Sequence, residues 1–294
     1  DTNTANNVPA ATATSVEIIN VRNVSGNAQT IAAGNFTGAT QINADRSTNQ
    51  VDVTGLVAGQ AVGIMGNGTV VTGALNATYG ATVTAATLNV SGGTATGSGA
   101  VAFTGAALAT VNINSSTAAN TVGTIALGGA ATALNVAANS NLTTGNITGF
   151  TGTAAKITVT GAATAANLGT LENTTVKTVD ASAFLGALTV TANTNTTLVL
   201  TGGAGNDVIT TGAVLATGGT IDGGAGTGDR LVVDRLYVVA SADLAAQARA
   251  DVNAGRHQMG DAARLVAPYQ VADAIKWLAV GQIEKGAFAF ADDQ

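Results

Sequence analysis

The chain has no cysteine, one histidine and two prolines in 294 residues. Without thiols there is neither a disulfide framework nor a sulfur-ligated zinc site, and one imidazole cannot build a nitrogen-ligand metal centre. The redox compartment stays open, because many secreted proteins do without disulfides. Aromatic residues make up only 3% of the chain and charged residues 10%. So few large side chains exclude a thick globular core, while a mean hydropathy of +0.33 is too apolar for a disordered chain. Thin stacked layers of small and β-branched residues meet both limits. Basic residues are also scarce, and the net charge of −6 argues against a nucleic-acid partner and suits divalent cations. No apolar run approaches the roughly 18 residues of a membrane span. There is no N-terminal signal pattern and residue 1 is Asp, so the expectation is a mature chain, a fragment, or a protein exported by a signal elsewhere.

What the chain has in quantity is glycine, 38 residues of it, and a repeat. Short segments such as Glu17-Ile18-Ile19-Asn20-Val21, Thr87-Leu88-Asn89-Val90, Thr110-Val111-Asn112-Ile113 and Ala133-Leu134-Asn135-Val136 resemble one another. Taking one apolar position from each unit gives residues 19, 42, 64, 88, 111, 134, 157 and 179, spaced by 22 to 24. Within a unit, apolar residues alternate with Asn or Thr, the period of a strand with one buried face. A second series offers Val101 and Phe103, Ile125 and Leu127, Ile147 and Phe150, then Leu168 and Leu171. Glycine, Asn, Ser and Thr clusters between them read as turns. Two or three short strands per repeat is what one coil of a right-handed parallel β-solenoid requires. Coils stacked at about 4.8 Å make a rod on the order of 40 Å long. The asparagines at 20, 43, 89, 112 and 135 are candidates for a ladder running from coil to coil. An antiparallel sandwich with evenly spaced strands is the alternative.

Residues 202–210, Gly-Gly-Ala-Gly-Asn-Asp-Val-Ile-Thr, fill every specified position of the nine-residue turn-and-strand pattern G-G-x-G-x-D-x-U-x, where U is large and apolar. A second copy from Gly223 to Leu231 carries one extra residue, Gly228. Glycines let such a turn take positive φ and aim carbonyls at one point, while the aspartate adds a carboxylate. Gly202 and Gly223 are 21 residues apart, close to one coil, so the two turns are expected side by side.

On these motifs, residues 198–234 resemble the RTX family of secreted calcium-binding β-roll proteins, and the longer coils before them are similar to segments of type I-secreted bacterial surface-layer (S-layer) proteins. The resemblance implies Ca2+ as cofactor, ligated by the carboxylates of Asp207 and Asp229 and the carbonyls of Gly203, Gly205, Gly224 and Gly226, with Asn206 and Asp222 as further contributors. An ordinary glycine turn with a turn-favouring Asn or Asp is the plainer reading of each copy.

The domain organisation follows: an N-terminal extension (1–14), a solenoid with a repeat of about 23 residues (15–197), the glycine-rich coils (198–234), and a different C-terminal segment (235–294). Residues 1–229 hold four basic and nine acidic side chains, while residues 230–294 hold seven and eight, and the apolar period changes there too. Ser241 is placed to cap a helix running to about Asn253 and ending at Gly255. A second helical stretch passes through Trp277, and residues 286–290 alternate like a strand. Such an α/β tail suits a cap on the rod's open end, or an export and assembly module.

Asp45, Asp52 and Asp180 read as solvated residues near strand ends, and His257 as a surface or capping residue. The solenoid's basic residues, Arg22, Arg46, Lys156 and Lys177, share no evident groove with clustered acids. Neither an acid-base pair, a nucleophile elbow nor a phosphate loop is present, so no enzymatic activity is expected. The expected function is an extracellular structural protein on the bacterial cell surface. It would assemble with copies of itself into a calcium-stabilised layer or filament, with cell-envelope polysaccharide as a further partner. The alternatives are the stalk of an adhesin or biofilm-matrix protein, and a β-helix enzyme acting on polysaccharide.

Overall fold

The computed structural model describes residues 12–233 except 69–72, 95–98, 129, 152–153, 172–174, 193–196 and 212–218. The helical and strand expectations for 235–294, and His257 with them, lie outside the described residues. Within them the chain is all-β, and every strand pairing is parallel, which fits a solenoid and excludes the antiparallel sandwich. No helix among the described residues is long and apolar enough to cross a membrane.

One sheet of ten strands runs the length of the rod, from Ile18–Val21 to Thr220–Asp222. Two six-stranded sheets close the other sides. The first takes strands from Gln29–Ala32 to Ile147–Thr148, and the second takes strands from Asn120–Val122 to Arg230–Val233. The middle coils, such as Thr110–Ser116 followed by Asn120–Val122 and Ile125–Ala126, feed all three sheets. The small element Ala13–Thr14 pairs with Phe36–Thr37.

Alternation decides which side chains fill the interior. In the long sheet, Ile42, Val62, Leu88, Ile113 and Val136 stack in one inward column. Val111, Leu134, Ile157, Val179 and Leu200 stack in another. All ten are buried. Fully burying such a side chain is worth about 1.5–3 kcal/mol, and only the next coil provides the cover. One member of each unit in the second apolar series forms a further column, with Val101 paired to Ile125, Ile125 to Ile147, and Ile147 to Leu171, while Leu168 lies on a strand of the other six-stranded sheet.

The register differs from the even repeat in three places. Ile42 pairs with Val62 rather than Ile64, Ile64 with Val90 rather than Leu88, and Leu88 with Ile113 rather than Val111. Each slip is two residues, so inward and outward faces are preserved although coil lengths are unequal. The asparagines consequently divide between two outward columns. Asn20, Asn43, Asn89 and Asn114 belong to one, and Asn112 and Asn135 to the other. Side-chain bonds run along both: Asn43 Nδ2 donates to Asn20 Oδ1 (2.8 Å), Asn114 Nδ2 to Asn89 Oδ1 (2.8 Å) and Asn135 Nδ2 to Asn112 Oδ1 (2.9 Å).

Candidate metal centre

Both glycine-rich turns carry the chain from the long sheet into the second short sheet. Pairing of Val199 with Thr220 on one side and of Val208 with Arg230 on the other stacks turn 202–207 directly against turn 223–229. The same register, in which Thr189 pairs with Val208, sets Leu188 one coil before Asp207. Leu188, Asp207 and Asp229 therefore form a single column, and its first member carries no carboxylate.

Asp207 is fully buried. Its Oδ1 accepts the Leu188 amide (2.6 Å) and its Oδ2 accepts the Gly203 amide (2.7 Å). Asp229 repeats half of this arrangement, its Oδ1 accepting the backbone N–H of Asp207 (2.9 Å). Each aspartate thus ties down the amide at its own level one coil earlier. Burial pushes the Asp207 carboxyl above its ordinary value; the two amide bonds oppose this and the negative charge of Asp229 adds to it. Among the described residues the ion pairs are Arg46 with Asp45 and Lys156 with Asp180, so neither turn aspartate is neutralised by a basic side chain.

The glycines serve mainly by close approach. Of the motif glycines only Gly224 has positive φ (+86°), so the expectation of left-handed turns holds at that position alone. A Cβ on Gly202 would overlap the Asp207 carboxylate, and one on Gly226 would overlap the carbonyl of Gly205. Coil contact at these turns leaves no space for a side chain.

The candidate ligands separate into groups. Asp207 and Asp229 are brought together as expected. The carbonyl of Gly203 accepts the Ala225 amide (3.0 Å) and is committed to coil pairing, whereas the carbonyls of Gly205, Gly224 and Gly226 accept no hydrogen bond from the described residues. Asn206 holds the inserted residue of the second turn, its Oδ1 accepting the Gly228 amide (3.0 Å). Asp222 stands exposed on the outer face of the long sheet, paired with Thr201, and its Oδ1 accepts the Gly224 amide (2.9 Å). No group of three or more His, Cys, Asp or Glu side chains gathers among the described residues.

This donor set suits a hard cation. It contains only oxygen, it places a buried carboxylate one coil from a second, and it leaves three carbonyls of the same two turns without a hydrogen bond from the described residues. Calcium accepts six to eight such ligands in flexible geometry and tolerates a shell made largely of carbonyls and water.

Sequence reasoning missed the turn upstream, residues 184–188, where the carbonyl of Phe184 accepts the Ala204 amide (2.9 Å) and that of Gly186 the Gly205 amide (3.1 Å). It lacks the double glycine and the aspartate, and its available signal is Gly186, which recurs as Gly205 and Gly226. The remaining acids have local partners. Asp45 is held below its usual value by the Arg46 guanidinium, and Asp180 chiefly by the Ser182 hydroxyl and then by Lys156. Asp52 accepts the side-chain amides of Asn76 (2.7 Å) and Gln50 (2.8 Å).

Comparison of the chain with protein-family models, with curated proteins and with solved structures finds no match in any of the three.

Proposed function

We propose that the chain is an extracellular structural protein, similar to RTX-type surface-layer proteins, in which calcium locks the last described coils of a β-solenoid and prepares the rod for assembly with copies of itself. The observation that carries this reading is the fully buried carboxylate of Asp207, one coil from Asp229 and without a basic partner among the described residues. A buried carboxylate with a second acid one coil away opposes folding until a cation shares them. Binding to the folded form alone contributes about 2.7 kcal/mol when free ion is a hundredfold above Kd. In low-calcium cytoplasm these coils would stay loose enough for type I export, and at millimolar calcium outside the cell they would close.

The rest of the rod supports a structural role because several of its polar side chains form coil-to-coil bonds. The bonds along the asparagine columns and the bond from Asn76 to Asp52 join neighbouring coils.

The deciding experiment follows purified full chain by circular dichroism and light scattering during calcium addition and subsequent chelation. The expected result is a reversible gain of β signal followed by ordered assembly. Folding without assembly would favour an adhesin stalk; absence of any calcium response would remove the mechanism; turnover of a polysaccharide would replace it with an enzyme.

A further inference from the structure

The outer face of the long sheet has a shallow groove of about 480 Å³ at mid-rod, away from the glycine turns. It crosses four coils. Thr87, Asn112, Asn135 and Thr158 follow one another in one outward column, and Asn89, Asn114, Ala137 and Thr160 in the next. Ala137 is the small member between two larger residues and makes the depression. We propose that this groove binds a neutral polysaccharide chain.

The lining chemistry selects the ligand. None of the residues lining the groove is ionisable. Lys156, on the same strand as Thr158, is engaged with Asp180 at 3.1 Å. An anionic polymer would find no cation to hold it here. An extended peptide gains most of its affinity by pairing with a free sheet edge, and these strands are central in a ten-stranded sheet. A polyhydroxylated chain needs neutral donors and acceptors at regular intervals, which the groove supplies. Asn112 Oδ1 is occupied by Asn135 Nδ2, but the Oδ1 atoms of Asn114 and Asn135 accept no hydrogen bond from the described residues. Each of these amides uses one of its two N–H donors internally and donates the other to none of the described residues.

Two features of the rod raise the value of those groups. The ladder bonds fix the amide rotamers before a ligand arrives, so less side-chain entropy is lost on binding. The groups also repeat at about 4.8 Å between coils and about 6.6 Å along a strand, over a length of about 14 Å, which matches a chain of several sugar rings rather than a single one. With no aromatic platform in the lining, one groove is expected to bind weakly, with Kd of roughly a millimolar. Copies of the chain held in an array would combine many such contacts.

This inference deepens the reading of the chain as a surface structural protein and rests on it for the source of the glycan, an envelope polysaccharide. The test keeps the two apart. Calcium response and assembly report on the structural reading. Titration of calcium-loaded full chain with cello-oligosaccharides, dextran and polygalacturonate, followed by NMR of side-chain amides, reports on the groove. The expected result is a saturable shift of the Asn112, Asn114 and Asn135 amide signals with a neutral probe, and a loss of affinity of roughly tenfold or more in Ala137→Phe, which fills the depression. Asn135→Ala, at an exposed position, gives the same reading if the larger substitution disturbs folding. Three outcomes overturn the proposal: no shift with either neutral probe, tighter binding of polygalacturonate, or an Ala137→Phe chain that binds sugar normally but no longer self-associates, which would make this face a contact between copies.

Discussion

Gln41 and Asn89 are hydrogen-bonded at 2.8 Å across a complete intervening coil. The coil between them presents Gly63, and the long amide of Gln41 fills the space its missing side chain leaves, donating also to Asn43 Oδ1 (2.6 Å). The ladder Asn20, Asn43, Gln41, Asn89, Asn114 is therefore continuous although one of its positions has no polar group.

Gly63→Ala should break that ladder. The backbone at Gly63 is compatible with alanine, but the new Cβ would overlap Asn43 Oδ1 and crowd Gln41 Nε2. Loss of one or two hydrogen bonds at about 0.5–1.5 kcal/mol each, partly offset by the lower entropy of the unfolded chain, gives an expected cost of about 1–2 kcal/mol in urea unfolding. Gly26→Ala, where a Cβ meets nothing within 4 Å, is the matched control and should be neutral or slightly stabilising. Equal effects at the two positions would show that the ladder contributes nothing.

This ladder also marks how far the sequence could be read. The repeat of 22 to 24 residues and the Asn-Thr alternation disclosed strands, faces and stacking, because a period-two pattern survives any slip of two residues. The register was not legible, because coil lengths differ and only three-dimensional pairing shows that Ile64 meets Val90. Gln41 gave no signal at all, since its role depends on the empty position at Gly63. At the turns the motif located Asp207 and Asp229, but it could not show that Oδ1 and Oδ2 of Asp207 are both taken by amides, nor that Asn206 is occupied with Gly228.

That asymmetry between the two aspartates yields a second prediction. Asp229→Asn retains an oxygen for the Asp207 amide, so stability in chelator should change by less than about 0.5 kcal/mol. Asp207→Asn must turn an NH2 toward either Leu188 N–H or Gly203 N–H, leaving one buried donor unsatisfied at a cost of about 1–3 kcal/mol, reduced by removal of the buried charge. Both variants should lose most of the calcium-induced rise in melting temperature. A variant pair that kept the full calcium response would move the ion elsewhere.

The pH dependence should reverse sign with calcium. Asp207 has a raised value in the folded protein, chiefly through burial, so it is protonated more easily there than in the unfolded chain. In chelator its contribution therefore makes stability rise as pH falls from neutral through that raised value toward about 3.9. In excess calcium, protons compete with the ion and stability should fall over the same interval. Asp45 and Asp180 have depressed values and act lower down: their stabilisation is present above about 3.9 and is lost as pH falls through their folded values. Both pairs are partly exposed, so that loss is expected to be under about 1 kcal/mol each. Melting curves at several pH values with and without chelator, repeated for Asp207→Asn, separate the two regions.

The corner of the rod gives a last test, independent of any ion. Pairing of Asp45 with Met65, Met65 with Ser91 and Ser91 with Ser116 sets Arg46, Gly92 and Thr117 at one corner of their coils, and all three have positive φ. Glycine takes φ of +79° freely, but the β-branched Thr117 at +69° is strained by roughly 1–2 kcal/mol. Its hydroxyl gives something back by accepting the Gly92 amide (2.8 Å). Asparagine tolerates the left-handed region and keeps a side-chain acceptor, so Thr117→Asn should raise stability by about 0.5–1 kcal/mol. Thr117→Val keeps the strain and removes the acceptor, and should lower stability by about 1 kcal/mol, with water softening the loss at this exposed corner. Urea midpoints at constant m-value read both changes. An Asn variant less stable than the parent would mean that the hydroxyl bond to Gly92 outweighs the backbone strain, and that threonine is held at this corner for coil-to-coil bonding.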